Sequence, residues 1–136
     1  MEKDLVIEIS KRNMADIYYR KRVCRCLTSE VVSLAKLALG IPGTNQRYGE
    51  YQIYLDELSK VSSKLKEKEM LVYDGMITAG VKAVEIDDII RKCESYPVDE
   101  YAIYQAYPIA TDLRCPSSQD RIEENKRIIW TIGYDS

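Results

Sequence analysis

The densest group of basic side chains lies in residues 18–26, YYRKRVCRC, beside two tyrosines. Arg20, Lys21, Arg22 and Arg25 could bind the phosphates of a nucleic acid while the tyrosines stack on its bases. A solvated surface, or a patch for an acidic protein partner, would have the same composition. The run therefore predicts a binding surface and leaves the class of partner open.

A second basic group, SKVSSKLK at residues 59–66, falls on a predicted helix. Lys60, Ser63, Lys64 and Lys66 carry donors that suit phosphates and base edges, so we expect nucleic-acid contacts here. The alternative is a solvated helix surface with lysine–glutamate pairs four residues apart. The two basic groups could form one surface, which the sequence does not decide.

The chain contains no histidine, which removes Ser-His and Cys-His nucleophilic pairs and histidine-ligated metals. Cys24, Cys26, Cys93 and Cys115 lack the paired spacing of a zinc site, so we expect free thiols. We therefore predict a protein that is not an enzyme, with no cofactor and no bound metal.

The totals are those of an ordinary globular domain. A chain of 136 residues, with 46% hydrophobic residues and a net charge of −2, predicts a single domain over residues 1–136. The first residues are too charged for a secretory signal, and VVSLAKLALGIPG is too short for a membrane span. We expect a cytoplasmic protein with no membrane partner.

The N-terminal third has mixed periodicity. Residues 4–10, DLVIEIS, alternate as a strand does, with Leu5, Ile7 and Ile9 on one face. A helix is expected from about residue 14. TSEVVSLAKLALG then predicts a further helix, capped by Thr28 or Ser29 and ended by Gly40, before the loop IPGTNQRYG.

The middle of the chain gives the clearest helix, from about residue 51 to residue 68. Tyr51, Tyr54, Leu58 and Val61 step by three and four residues, so they form one apolar stripe. Such a stripe either packs in the core or forms the seam of a dimer. We therefore keep these four residues as a predicted dimer or partner interface.

After this helix, the runs MLVY and MITA flank Asp74-Gly75, a pair typical of a type I′ turn, which predicts a short hairpin near residues 70–79. VKAVEIDDIIRKC returns to helical spacing, with Ile86, Ile89, Ile90 and Cys93 inward.

The C-terminal part begins with DEYAIYQAYPIAT, which could be a strand or irregular. PSSQDRIEENKR predicts a short helix and RIIWTIGY a last strand. The expected class is α+β: a compact single domain with a mostly helical centre, short strands at the ends and one hairpin.

Residues 54–80, YLDELSKVSSKLKEKEMLVYDGMITAG, place a basic helix before a short hairpin. In that order the segment resembles winged-helix DNA-binding domains. The resemblance implies a recognition helix in the major groove and a wing that touches the DNA backbone.

These observations predict a small regulatory protein that binds a macromolecule, most directly nucleic acid through the basic helix and the hairpin. The alternative is a protein–protein interaction or inhibitor module, such as an accessory protein of a mobile element, that dimerises and blocks a partner. Tyrosine and arginine are favoured at such interfaces.

Overall fold

The computed structural model describes residues 2–40 and 45–95, together with residues 123, 125–127, 129, 130 and 132. Three helices account for nearly all of the two long ranges: α1 (Glu2–Leu39), α2 (Asn45–Thr78) and α3 (Ala83–Ser95). The described residues near the C-terminus are also helical, and no described residue is in a strand. The predicted α+β class is therefore wrong, and the protein is mostly helical over its described part.

The long helices α1 and α2 pack side by side in opposite directions. Glu2 and Lys3, at the start of α1, lie against Thr78 and Ala79, at the end of α2. The short helix α3 returns along the first half of α1, where Lys3 Nζ lies 3.9 Å from a carboxylate oxygen of Glu85. None of these helices is long and apolar enough to cross a membrane.

Helix α1 includes the segment that was predicted to be a strand. Its buried positions Ser10, Met14 and Ile17 step by four and three residues and continue through Val23–Cys24, Leu27, Val31, Ala35 and Ala38. Leu5 and Ile9 are 57% and 48% exposed, and of the three alternating residues Ile7 alone packs, half-buried, against the core. The long stripe, rather than the local alternation, decides the conformation.

The boundaries around residue 28 are also different from those expected. The predicted helix over residues 28–40 is confirmed, and it ends where Gly40 donates its backbone N–H to the Leu37 carbonyl. Thr28 and Ser29 do not cap it, because they lie in the interior of α1. The Thr28 hydroxyl instead donates to the Cys24 carbonyl one turn earlier, at 2.8 Å.

Helix α2 confirms the helix predicted over residues 51–68 and continues through the expected hairpin. Its apolar stripe does not stop at Leu65 but runs on to the half-buried Val72 and the fully buried Met76. Asp74 and Gly75 fall on the exposed side of this stripe. One glycine costs an established helix only about 1 kcal/mol, which the packing of the stripe outweighs.

The chain turns at Gly80 instead. Gly80 has a φ of 84° and donates to the Ile77 carbonyl, while Val81 donates to the Met76 carbonyl. This pair of bonds is a Schellman motif, and the buried Val81 and Met76 supply its apolar contact. Gly80, five residues after Gly75, is therefore the real end of the helix.

The stripe Tyr51, Tyr54, Leu58 and Val61 is buried within one chain, with each side chain at most 2% exposed. It packs in a core with residues of α1 such as Leu27 and with Ile129 near the C-terminus. Dimerisation through these four residues stays a prediction, and it would require α1 and α2 to separate.

Of the remaining predicted elements, the helices agree with the structure and the last strand does not. Helix α3 is confirmed, with Ile86, Ile89 and Cys93 buried and Ile90 half-buried. Helical residues at 123 and 125–127 agree with the short helix expected there, whereas helical residues at 127, 129, 130 and 132 make the last predicted strand wrong. The segment DEYAIYQAYPIAT lies outside the described residues.

Replacing Gly75 by alanine should raise the free energy of unfolding by about 0.5–1 kcal/mol, because a Cβ there meets nothing within 4 Å and the backbone is helical. Urea titration followed by circular dichroism measures the change. Gly80→Ala is the matched control and should destabilise, because only Gly80 has a positive φ among the described glycines. A loss of stability in Gly75→Ala would favour the hairpin.

Candidate nucleic-acid interface

A groove of about 860 Å³ runs between α1 and α2 and combines parts of both predicted basic groups. It is lined by three cationic side chains, Lys21, Arg25 and Lys66, and by five hydroxyl side chains, Thr28, Ser29, Ser59, Ser62 and Ser63. No acidic and no aromatic side chain is among its described lining residues. This composition suits phosphate oxygens and sugar hydroxyls.

The α1 wall follows from helical spacing. Lys21, Arg25, Thr28 and Ser29 are separated by four, three and one residues, so they share one face of the helix. Arg25 is exposed, whereas Lys21 is half-buried. The wall therefore presents one solvated guanidinium and one ammonium that is held close to the protein.

The α2 wall repeats the pattern. Leu55, Ser59, Ser62, Ser63 and Lys66 follow one face of α2, with the serines between the apolar base and the lysine. Because serine side chains are short, a nucleic-acid strand could approach the backbone of α2 closely. They can donate hydrogen bonds without adding charge.

Lys21 also contacts Glu69, a residue of α2 at one end of the groove. Its ammonium donates to Oε2 of Glu69, and the Tyr18 hydroxyl donates to Oε1 of the same carboxylate. The Lys21 ammonium lies 4.9 Å from the centre of the Tyr18 ring, a cation–π arrangement. These three side chains form what we call the Glu69 cluster.

The Glu69 cluster changes the acidity of its members. Partial burial acts to raise the pKa of Glu69, but the hydrogen bonds from Lys21 and Tyr18 and the nearby positive charges outweigh it, so this pKa is lowered. Burial and the neighbouring carboxylate raise the pKa of Tyr18. At neutral pH Glu69 is therefore a carboxylate and Tyr18 a neutral phenol.

Arg20 and Arg22 contact the fold rather than the groove. Arg20 Nε lies 3.0 Å from an Asp16 carboxylate oxygen, and its guanidinium also donates to the Ile132 carbonyl. Arg22 donates to the Cys93 carbonyl at 3.2 Å, near the end of α3, where a cation is favoured. Both arginines thus connect α1 to other helical segments.

Cys24 lies in the groove wall, but it is nearly fully buried. Desolvation raises the pKa of its thiol to about 11, against the opposing effect of Arg20. The thiol is therefore protonated at neutral pH and is not the thiolate that acts as a nucleophile.

The structure brings together four of the eight predicted nucleic-acid residues, namely Lys21, Arg25, Ser63 and Lys66. Arg20 and Arg22 lie outside the groove, and Lys60 and Lys64 are exposed on another face of α2. Thr28 and Ser29 were missed as lining residues because they resembled a helix cap. Continuing the spacing from Lys21 and Arg25 to position 28 was the signal that could have found them.

Comparison of the chain with protein-family models, with curated proteins and with solved structures finds no match.

The ion pair between Lys21 and Glu69 should stabilise the protein by about 1 kcal/mol at pH 7, since neither side chain is more than 23% exposed. Because its folded-state pKa is lowered, this stability is present above the unfolded pKa and is lost as the pH falls through the folded value. The free energy of unfolding of Glu69→Gln should therefore fall below the wild-type value at pH 7, with a smaller difference at pH 3. Urea titrations at both pH values measure this.

Glu67→Gln is the control for that experiment, because Glu67 is exposed on the same helix. It should change the free energy of unfolding little at either pH. An equal effect of Glu69→Gln at pH 7 and pH 3 would show that the charge of Glu69 is not what stabilises the fold.

Proposed function

We propose that this protein is a small, non-enzymatic regulatory protein that binds a nucleic-acid strand by its phosphates in the groove between α1 and α2. The observation that carries the proposal is the meeting of Arg25 and Lys21 from one helix with Lys66 from the other, across a wall of hydroxyls. Two predicted basic groups, about 40 residues apart in sequence, contribute to one surface.

The lining also bears on how a strand would be bound. Since no aromatic side chain is among the described residues that line the groove, its contacts favour the sugar-phosphate backbone over stacking with bases. The proposed binding therefore does not depend on the nucleotide sequence of the bound strand. It replaces the wing of the winged-helix resemblance, because the residues expected to form the wing are helical.

Wild-type protein should bind a labelled random single strand, with an affinity that falls about sevenfold between 50 and 200 mM salt if Arg25 and Lys66 each contact one phosphate. Fluorescence anisotropy measures the affinity, and a random duplex is the parallel ligand. Arg25→Gln and Lys66→Gln should each make the dependence of log affinity on log salt shallower by about 0.7.

Lys60→Gln is the matched control, because it removes the same charge from an exposed position of α2 outside the groove. It should leave the salt dependence close to that of the wild type. Absence of binding at 50 mM salt, or an equal effect of Lys60→Gln and Lys66→Gln, would contradict the proposed site.

A second candidate function is association with a protein partner, and the partner we consider is a second copy of the chain. Its support is an apolar surface near the end of α2, where Met70 and Ile77 are 66% and 50% exposed. Met70, Tyr73 and Ile90 also line a cavity of about 460 Å³ between α2 and α3, with Lys66 and Glu69 at its charged side. Exposed apolar patches of this kind are found at protein interfaces.

If the chain self-associates through this surface, sedimentation velocity of the wild type should give twice the monomer mass of 15.7 kDa. Met70→Glu should restore the monomer, because it would bury a charge in an apolar contact. Ile53→Glu, at an exposed position in the other half of α2, should not. A wild-type monomer at high concentration would remove this candidate.

A further inference from the structure

Glu69 lies three residues after Lys66 on α2, at the end of the groove where Lys21 reaches across from α1. Its two carboxylate oxygens are both engaged, one by the Lys21 ammonium and the other by the Tyr18 hydroxyl. The carboxylate is therefore held in one position by two contacts from the opposite helix.

The Glu69 cluster is more sheltered than an ordinary surface ion pair. The side chains of Lys21 and Glu69 are 18% and 23% exposed, and the Tyr18 ring lies beside the ammonium. Shelter from water and salt strengthens the attraction between the two charges. A phosphate that approaches Lys21 therefore meets an ammonium that already has a counter-ion.

Glu69 also acts on a second cation of the groove. The charge of Lys66 contributes to the lowered pKa of Glu69, which means that the two side chains attract each other. Arg25 forms no ion pair with any residue that the structure describes. Glu69 thus offsets the charge at its own end of the groove, while Glu94, which lines a neighbouring cavity with Lys21 and Arg25, forms no ion pair with Arg25.

We infer that Glu69 is an affinity-limiting residue of the groove, whose carboxylate competes with the phosphates of a bound strand for Lys21. This inference rests on the proposed function, because it concerns the same groove. In the empty protein Lys21 belongs to the Glu69 cluster, and a strand binds first through Arg25. A phosphate that binds at Lys21 must displace the Glu69 carboxylate, or it binds more weakly because the carboxylate repels it.

The test is anisotropy of the full-length protein with a labelled random single strand at 100 mM salt. Glu69→Gln keeps the size of the side chain and an oxygen that can accept the Tyr18 hydrogen bond, but it removes the charge. We expect its affinity to rise about fivefold and its salt dependence to steepen by about 0.7, which is one additional phosphate contact.

Two further variants separate this local effect from a change in net charge. Glu67→Gln removes the same charge two residues away on an exposed face, and its affinity should stay within about twofold of the wild type. In a Lys21→Gln background, adding Glu69→Gln should lose most of its effect, because no ammonium remains to be released. Circular dichroism checks that each variant is folded.

Tyr18→Phe is the second route to the same conclusion if Glu69→Gln does not fold. It removes the hydroxyl that holds Oε1 of Glu69 but keeps the ring beside Lys21. Tyr18→Phe should also raise the affinity for the strand, by a smaller factor than Glu69→Gln.

The outcomes distinguish the two claims. If the wild type binds and the affinity of Glu69→Gln is unchanged or equals that of Glu67→Gln, this inference is overturned and the proposed function stands. If the wild type does not bind at 50 mM salt, the proposed function itself is overturned, and this inference with it.

Discussion

The continuous contact between α1 and α2 is the constraint on which the other features of this protein depend. Each helix presents a stripe of buried residues at spacings of three and four, and the two stripes meet along most of their length. Burial of a large apolar side chain stabilises a fold by about 1.5–3 kcal/mol, so a stripe of this length outweighs local preferences along the chain. It keeps Asp74 and Gly75 helical, and it aligns Lys21 and Arg25 with Lys66 across a groove.

This constraint also explains which features could be predicted from the sequence. The helices around Leu58 and Ile86 were predicted because their own apolar spacing is unbroken. The first strand and the hairpin were wrong because short patterns, with exposed Leu5 and Ile9 in one and Asp74-Gly75 in the other, were weighed without their long-range partners. The buried stripes run from residue 10 to residue 38 and from residue 51 to residue 76, and stripes of that length are visible only when the segments are joined.

Of the residues that were predicted to form the candidate site, the structure brings together only part. Basic side chains and serines at the right spacing indicated a phosphate-binding surface, and Lys21, Arg25, Ser63 and Lys66 do share a groove. The sequence could not separate these residues from Arg20, Arg22, Lys60 and Lys64. Which face of a long helix lines the groove depends on the helix that packs against it. Nor could it show that Glu69, distant in sequence from Lys21, would contact it.

Arginine and lysine at the four positions of the basic run are not equally replaceable. At positions 20 and 22 the guanidinium donates to carbonyls of other segments while keeping a second contact, which depends on its several fixed donors. At position 25 the side chain offers chiefly a positive charge to the groove, whereas the ammonium at position 21 also contacts the Glu69 carboxylate and the Tyr18 ring. In divergent copies of this chain, positions 20 and 22 should therefore remain arginine, while lysine and arginine should exchange freely at position 25.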